Sequence, residues 1–195
     1  MPEKQRCDWA VKTDMERHYH DTEWGLPCFD DGVLFEFIVL ESAQAGLSWR
    51  TILGKRAGYR QAFADFDPVK VAAFTEKDVA RLFTEAAIVR NRKKIECTVS
   101  NARIFLDIAA KNGSFAKYIW SFVDGKPITN TWQEISQVPA TTPVSDVMAK
   151  ECKRLGFKFL GSTVLYAYMQ ATGMVNDHLV TCFRHKECRS AGERL

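Results

Sequence analysis

Residues 33–49 read VLFEFIVLESAQAGLSW, and how this stretch folds decides the rest. Placed on a helix at about 100° per residue, Glu41 falls between Leu34, Phe37 and Ile38, on the most apolar side. Glu36 falls nearer Ala43, on a weaker side. A carboxylate on a core-facing stripe is costly unless something hydrogen-bonds or neutralises it. Gly46 breaks the helix, and Ser48 can cap a new one with Trp49 at its start. A constrained acid, a tight turn and a large aromatic therefore lie within nine residues. Two explanations stand side by side: a functional acid, or a buried Glu paired with a structural arginine beside a core tryptophan.

Helix signals dominate outward from this stretch. Asp30 or Asp31 can cap its helix, which runs to about residue 45, and the helix opened by Ser48 ends near Phe63. Asp67-Pro68 is a turn before a short helix, and Thr75 with Asp78 reads as a capping box. Residues 92–111 place Ile95, Val99, Ala102, Leu106 and Ala109 on one face of an amphipathic helix, stopped by Asn112-Gly113. Further helices are predicted over 114–123, 145–155, 162–172 and 175–183, with 124–142 as the long irregular connection. Strand signals are poor, so the expectation is an all-α protein of eight to ten helices. The N-terminal piece and the C-terminal helices are expected to form a second lobe against the central helices.

The chain has 195 residues, 46% of them hydrophobic, with a formal net charge of +3. This suffices for one core or two small lobes sharing a cleft. The mild positive charge is compatible with a nucleic-acid partner without requiring one. No apolar run is long enough for a transmembrane helix, and the charged N-terminal stretch lacks a signal core. A cytoplasmic protein without a membrane partner is expected. Six cysteines in such a chain point to metal binding or free thiols rather than a disulfide framework.

Three constellations can carry chemistry. Cys7 and His20 lie near one end, His178 and Cys182 near the other. The last two are four apart and would share one helix face, and two Cys with two His suit tetrahedral zinc. Cys28, Cys188, His18 and His185 compete as ligands, and a buried Cys is often only a small apolar residue. Trp9, Tyr19, Trp24 and Trp49 crowd the first quarter of the chain. Core packing is the commoner use of such residues, but aromatics converging with an acid suit a flat cationic ring. Arg90, Arg92, Lys93 and Lys94 surround a helix start, where positive charge opposes the dipole. A bridging phosphate would resolve that conflict; a solvated charged face is the plain alternative. Lys153, Arg154 and Lys158 form a weaker basic edge.

Several segments, in order, resemble the bacterial 3-methyladenine DNA glycosylase I family. They are C-x-W at 7–9, YHDTEWG at 19–25, LESAQAGLSW at 40–49 and FDPVKVA at 66–72. RNRKKIECTVSNAR at 90–103, WSFV at 120–123, GFKFLGST at 156–163 and YMQATGMVNDH at 168–178 complete the set. The resemblance implies a two-lobed helix-hairpin-helix glycosylase fold in a single domain over residues 1–195. The hairpin would span 82–95, with the glycine-free turn Ala86-Ala87-Ile88-Val89. It implies one structural zinc on Cys7, His20, His178 and Cys182, tethering the termini. It makes Glu41 the central acid, with Tyr19 and Trp49 contacting the base and Trp9 and Trp24 as walls. Glu16 stands where relatives can carry a Tyr. Gln44, Gly46 and Leu47 would meet the gap left in the duplex, and Arg90, Arg92 and Lys93 its phosphates. The implied activity is hydrolytic release of N3-methyladenine, flipped out of alkylated double-stranded DNA, without strand cleavage. A monomer without a nucleotide cofactor is expected. A non-catalytic sensor of alkylated DNA is the runner-up.

Overall fold

The computed structural model describes residues 4–194. Among them are ten α-helices: α1 Asp14–Thr22, α2 Asp31–Gln44, α3 Trp49–Ala62, α4 Pro68–Ala72 and α5 Glu76–Thr84, then α6 Arg92–Asn112, α7 Phe115–Trp120, α8 Pro143–Leu155, α9 Ser162–Ala171 and α10 Phe183–Gly192. Two short strands, β1 Ile128–Thr129 and β2 Val175–Asn176, pair in parallel with Ile128 opposite Val175. No helix among the described residues is long and apolar enough to cross a membrane. The protein is thus mostly helical, as its sequence indicates.

The helix starts follow from side-chain chemistry. Asp30 accepts the Val33 N–H at 2.9 Å, Ser48 the Thr51 N–H at 3.2 Å and Asn91 the Lys94 N–H at 3.2 Å. Each satisfies a donor that the first helical turn leaves unpaired. Pro68 opens α4 behind the Asp67 cap, where its missing N–H costs nothing.

Helix α2 is the centre of the molecule. Every residue from Leu34 to Ala43 is buried, with α3, α6, α7 and α9 packed around it. This corrects the contrast drawn between its two acids on the helical wheel. Glu36 is as deeply buried as Glu41, because a helix covered on all sides has no weak face. Arg56 Nε and Arg60 Nη2 donate to Glu36 at 2.7 and 2.8 Å. The acid with structural arginines is therefore Glu36, not Glu41.

The expected last helix over 175–183 does not form. Val175 and Asn176 enter the parallel pair, residues 177–182 are irregular, and α10 begins only at Phe183. The cause is local. Asn176 Oδ1 accepts the His178 N–H at 3.3 Å, and its Nδ2 donates to the His185 carbonyl at 2.9 Å. Asn side chains of this kind compete with the helical ladder.

Residues 85–91 join α5 to α6, and α3 supports this turn from behind. Lys55 Nζ donates to the Ala86 carbonyl at 2.8 Å, and the Val89 N–H donates to Tyr59 Oη at 3.2 Å. The turn has no glycine, but the helix facing it does: a Cβ on Gly58 would lie 2.5 Å from the Ala87 carbonyl oxygen. Gly58→Ala must therefore displace the turn. Overpacking of this kind costs about 1–3 kcal/mol, and thermal unfolding should show a midpoint lowered by about 2–4 °C for each kcal/mol. An unchanged midpoint would show that the turn yields freely.

Candidate active site and metal centre

A cavity of about 590 Å³ opens between the N-terminal segment, the end of α2, the start of α3 and the flank of α9. Trp9, Glu16, Tyr19, Trp24, Glu41, Gln44 and Trp49 line it. Their rings form a connected set. Trp9 meets Trp24 edge-on at 5.1 Å between centroids, and Tyr19 lies 5.2 Å from Trp49 and 6.3 Å from Trp9. Residues scattered over forty positions of sequence thus converge as one aromatic box.

Glu41 is only 4% exposed, and burial alone raises its pKa from 4.5 to about 8. Among the described residues neither cation nor hydrogen-bond donor compensates it. Its proximity contributes to raising the Tyr19 phenol, after burial, the larger cause. The Trp49 indole N–H is buried and has no acceptor among the described residues. A carboxylate without its counter-ion and a donor without its acceptor therefore share one aromatic cavity. Unsatisfied buried groups of this kind call for an explanation.

Sequence reasoning missed part of the wall. Asp177 is buried and accepts four hydrogen bonds: from Asn130 Nδ2 and Trp132 Nε1 at 2.7 Å each, Tyr166 Oη at 2.6 Å and Gln170 Nε2 at 2.8 Å. It fastens the 130–140 connection, whose Ile135, Val138 and Pro139 line the cavity opposite α2. The sequence signal was an acid inside the apolar run MVNDHLV, and Tyr166 and Gln170 stand one turn apart on α9. The connection itself carries no periodicity that could announce a wall. Glu16, at the rim, is buried, accepts from Thr13 Oγ1 at 2.8 Å and pairs with Arg50 at 3.2 Å.

Cys7, His20, His178 and Cys182 gather beside this cavity, all buried, with their ligand atoms within 4.8 Å of one another. Cys182 Sγ lies 3.4 Å from His20 Nε2 and 3.5 Å from His178 Nδ1, and Cys7 Sγ lies 3.8 Å from His178 Nδ1. A tetrahedral ion with Zn–S and Zn–N bond lengths requires edges of about 3.3–3.8 Å, so the set fits a metal. The remaining ring nitrogens also fit: His20 Nδ1 meets Asp21 at 2.8 Å and His178 Nε2 meets the Trp24 carbonyl at 3.0 Å. Such outer partners orient ligating imidazoles. Hydrogen bonds from Cys7, His178 and His20 hold the Cys182 thiol low, whereas that shared bond and burial push Cys7 up. The helix face proposed for His178 and Cys182 is absent; an irregular turn brings them together instead. Cys188 is buried outside the cluster, and His185 Nε2 is engaged with the Asn130 carbonyl at 2.8 Å.

The basic run divides on inspection. Arg92 pairs with Glu76 and with Glu96, and Lys94 turns inward. Contacts within the protein thus occupy two of its charges without a phosphate. Arg90 and Lys93 remain exposed. On the neighbouring loop Gly46 adopts φ +80°, and Leu47 is 41% exposed outside the cavity lining.

Residues 9–185 match the methyladenine glycosylase family. The chain is 47% identical to DNA-3-methyladenine glycosylase 1 of Escherichia coli (strain K12), covering 91% of this chain and 95% of that protein. A crystal structure of a 3-methyladenine DNA glycosylase I superposes with TM-score 0.88 at 49% identity, over 92% of this chain and 98% of the other. The Staphylococcus aureus enzyme, solved for the structural basis of its 3-methyladenine recognition, gives TM-score 0.88 at 40% identity over 91% and 95% of the two chains. Cavity, Cys/His cluster and helical frame thus accompany a likeness along nearly the whole chain, which belongs to the methyladenine glycosylase family.

Proposed function

We propose that this chain is a monofunctional DNA-3-methyladenine glycosylase of the helix-hairpin-helix class, acting as a single-domain monomer without a nucleotide cofactor. The observation that carries the reading is Glu41, a buried acid in an aromatic cavity without a charge or hydrogen-bond partner among the described residues. The base lies inside the stack and must be flipped out to react, at a cost of a few kcal/mol that is smaller for damaged bases. The flipped N3-methyladenine stacks on Trp49 and is enclosed by Trp9, Tyr19 and Trp24. The Trp49 N–H supplies a further donor at the cavity wall.

Methylation makes the bound base cationic. Its charge restores what Glu41 lacks, so binding and ionisation of the acid support one another. Neutral adenine offers no such compensation, and its glycosidic bond is harder to break. In the reaction water adds to C1′ of the sugar, the C1′–N9 bond breaks, and its electron pair neutralises the departing base. The water's proton passes to solvent. Asp177 is not assigned as the activating base: a carboxylate has about four acceptor sites, and Asp177 already accepts four internal bonds. The reading assigns no lysine nucleophile and no strand cleavage.

Cys7, His20, His178 and Cys182 would hold zinc. Four protein ligands leave no open position, so the ion supplies structural cross-linking rather than Lewis-acid chemistry. Arg90, Arg92 and Lys93 would face DNA phosphates beside the 85–91 turn, although Arg92 must share its charge with Glu76 and Glu96. Gln44, Gly46 and Leu47 would enter the gap in the duplex.

Release of free 3-methyladenine from methylated duplex DNA tests this reading. Glu41→Gln should lower release by about 10²–10³-fold, the size typical of one lost electrostatic contact in an active site. Borohydride should trap no protein–DNA adduct. No release by folded wild type, with salt-sensitive DNA binding kept, would support a sensor instead.

The pH dependence has a defined sign. Glu41 has its folded pKa raised from 4.5 to about 8. Its contribution to stability is complete below about 4.5 and is lost as pH rises through about 8. Glu41→Gln should therefore gain stability relative to wild type across that window in denaturant titrations. Wild-type kcat/KM should meanwhile rise toward pH ~8, where the free acid ionises. A profile flat from pH 6 to 9 would exclude this titration.

Elemental analysis should find one zinc per chain. Chelator-stripped protein should unfold about 10 °C or more below the loaded form, from a cross-link of ~5 kcal/mol and ~2–4 °C for each kcal/mol. Equal midpoints would remove the metal from the fold.

A further inference from the structure

The sequence groups Lys94 with the basic run, but its side chain enters the protein. Lys94 sits in the first turn of α6, behind the Asn91 cap, and is buried. Its Nζ donates to the Ala43 carbonyl at 2.7 Å and to the Ala45 carbonyl at 2.6 Å. Both acceptors belong to the C-terminal end of α2, where carbonyls lack intrahelical donors and the dipole is negative. A cation there satisfies two orphan groups at once. Burial lowers its pKa.

One ammonium thus joins two segments. Immediately upstream stand the exposed Lys93, on its own helix, and the exposed Arg90, in the turn that leads into it. On the other side begins the loop of Gly46 and Leu47. That loop is tight: the Leu47 N–H donates to the Gln44 carbonyl at 2.6 Å, and Gly46 takes φ +80°. The same helix end carries Glu41 less than one turn before Ala43. We propose that Lys94 is a positioning residue that holds the Gly46–Leu47 loop in register with the first turn of α6. Phosphate contact on one side then sets where Leu47 enters the duplex on the other. This rests on the duplex-glycosylase reading above. It assigns Lys94 no contact with DNA or base.

The test compares wild type, Lys94→Met and Lys94→Arg. Methionine keeps the stem and removes the donors; arginine keeps donors and charge. Three readouts are needed: base release from methylated duplex and single-stranded DNA, the salt dependence of duplex affinity, and binding of free 3-methyladenine followed by tryptophan fluorescence. For Lys94→Met, kcat on duplex should fall about 100-fold, the size expected for a ~1 Å misplacement. Single-stranded DNA leaves no gap to fill, so release from it should fall less. Free-base binding and the salt slope should hold, and Lys94→Arg should recover much of the duplex rate. A salt slope reduced by about one would instead make Lys94 a phosphate contact and overturn the proposal. So would an unimpaired duplex rate in folded Lys94→Met beside an active wild type. If that variant does not fold, Lys94→Gln, which keeps one amide donor, should show a partial duplex loss, and no loss overturns the proposal. An inactive wild type would instead overturn the underlying glycosylase reading.

Discussion

The structure depends on an uncompensated carboxylate at the centre of its core. Helix α2 is buried on every side from Leu34 to Ala43, and it carries two acids. Glu36 is neutralised by Arg56 and Arg60. Glu41, little more than one turn further on, has no such partner, and burial raises it to about 8. The same helix therefore presents one acid solved by the fold and one left for a ligand. Burying a carboxylate without a partner is expensive, and the surrounding core must bear that cost. The extensive packing of α3, α6, α7 and α9 around α2 is the physical condition for keeping such a group.

The Cys/His cluster and the cavity are neighbours in sequence as well as in space. Cys7 is two residues from Trp9, His20 follows Tyr19, and His178 follows Asp177. Fixing the cluster thus fixes three separate parts of the cavity wall. Asp177 then passes this order to the 130–140 connection through Asn130 and Trp132. A segment without regular structure becomes a wall because one buried carboxylate gathers its polar groups, in keeping with the rule that buried polar atoms are paired.

Much of this was legible in the sequence, and the gaps have physical causes. The caps offered by Asp30 or Asp31 and by Ser48, the Asp67-Pro68 turn and the periodicity of 92–111 place α2, α3, α4 and α6 correctly, because these signals are local. The segment 175–183 misled because apolar spacing outweighed Asn176, whose side chain pairs with the backbone of His178 and His185. The four clustered Cys and His residues are visible as types and spacing, yet the helix expected to align His178 and Cys182 does not form. The basic run misleads because the sequence does not show that Glu76 and the end of α2 reach Arg92 and Lys94 across tertiary contacts; only the Glu96 partner of Arg92 is a near neighbour along the helix. The aromatic box was legible as a list, and only packing could show that its members converge.

The separation along the chain of the clustered cysteines and histidines has one more consequence. Cys7 and His178 are 171 residues apart, so an ion bound by both would close nearly the whole polypeptide into a ring. Ring closure acts on the unfolded ensemble, and for a loop this long it removes about 5 kcal/mol of chain entropy. The native contacts around the cavity would feel little of that term directly. The ion would govern how far the chain can stray once it opens, and how readily its two ends find one another again.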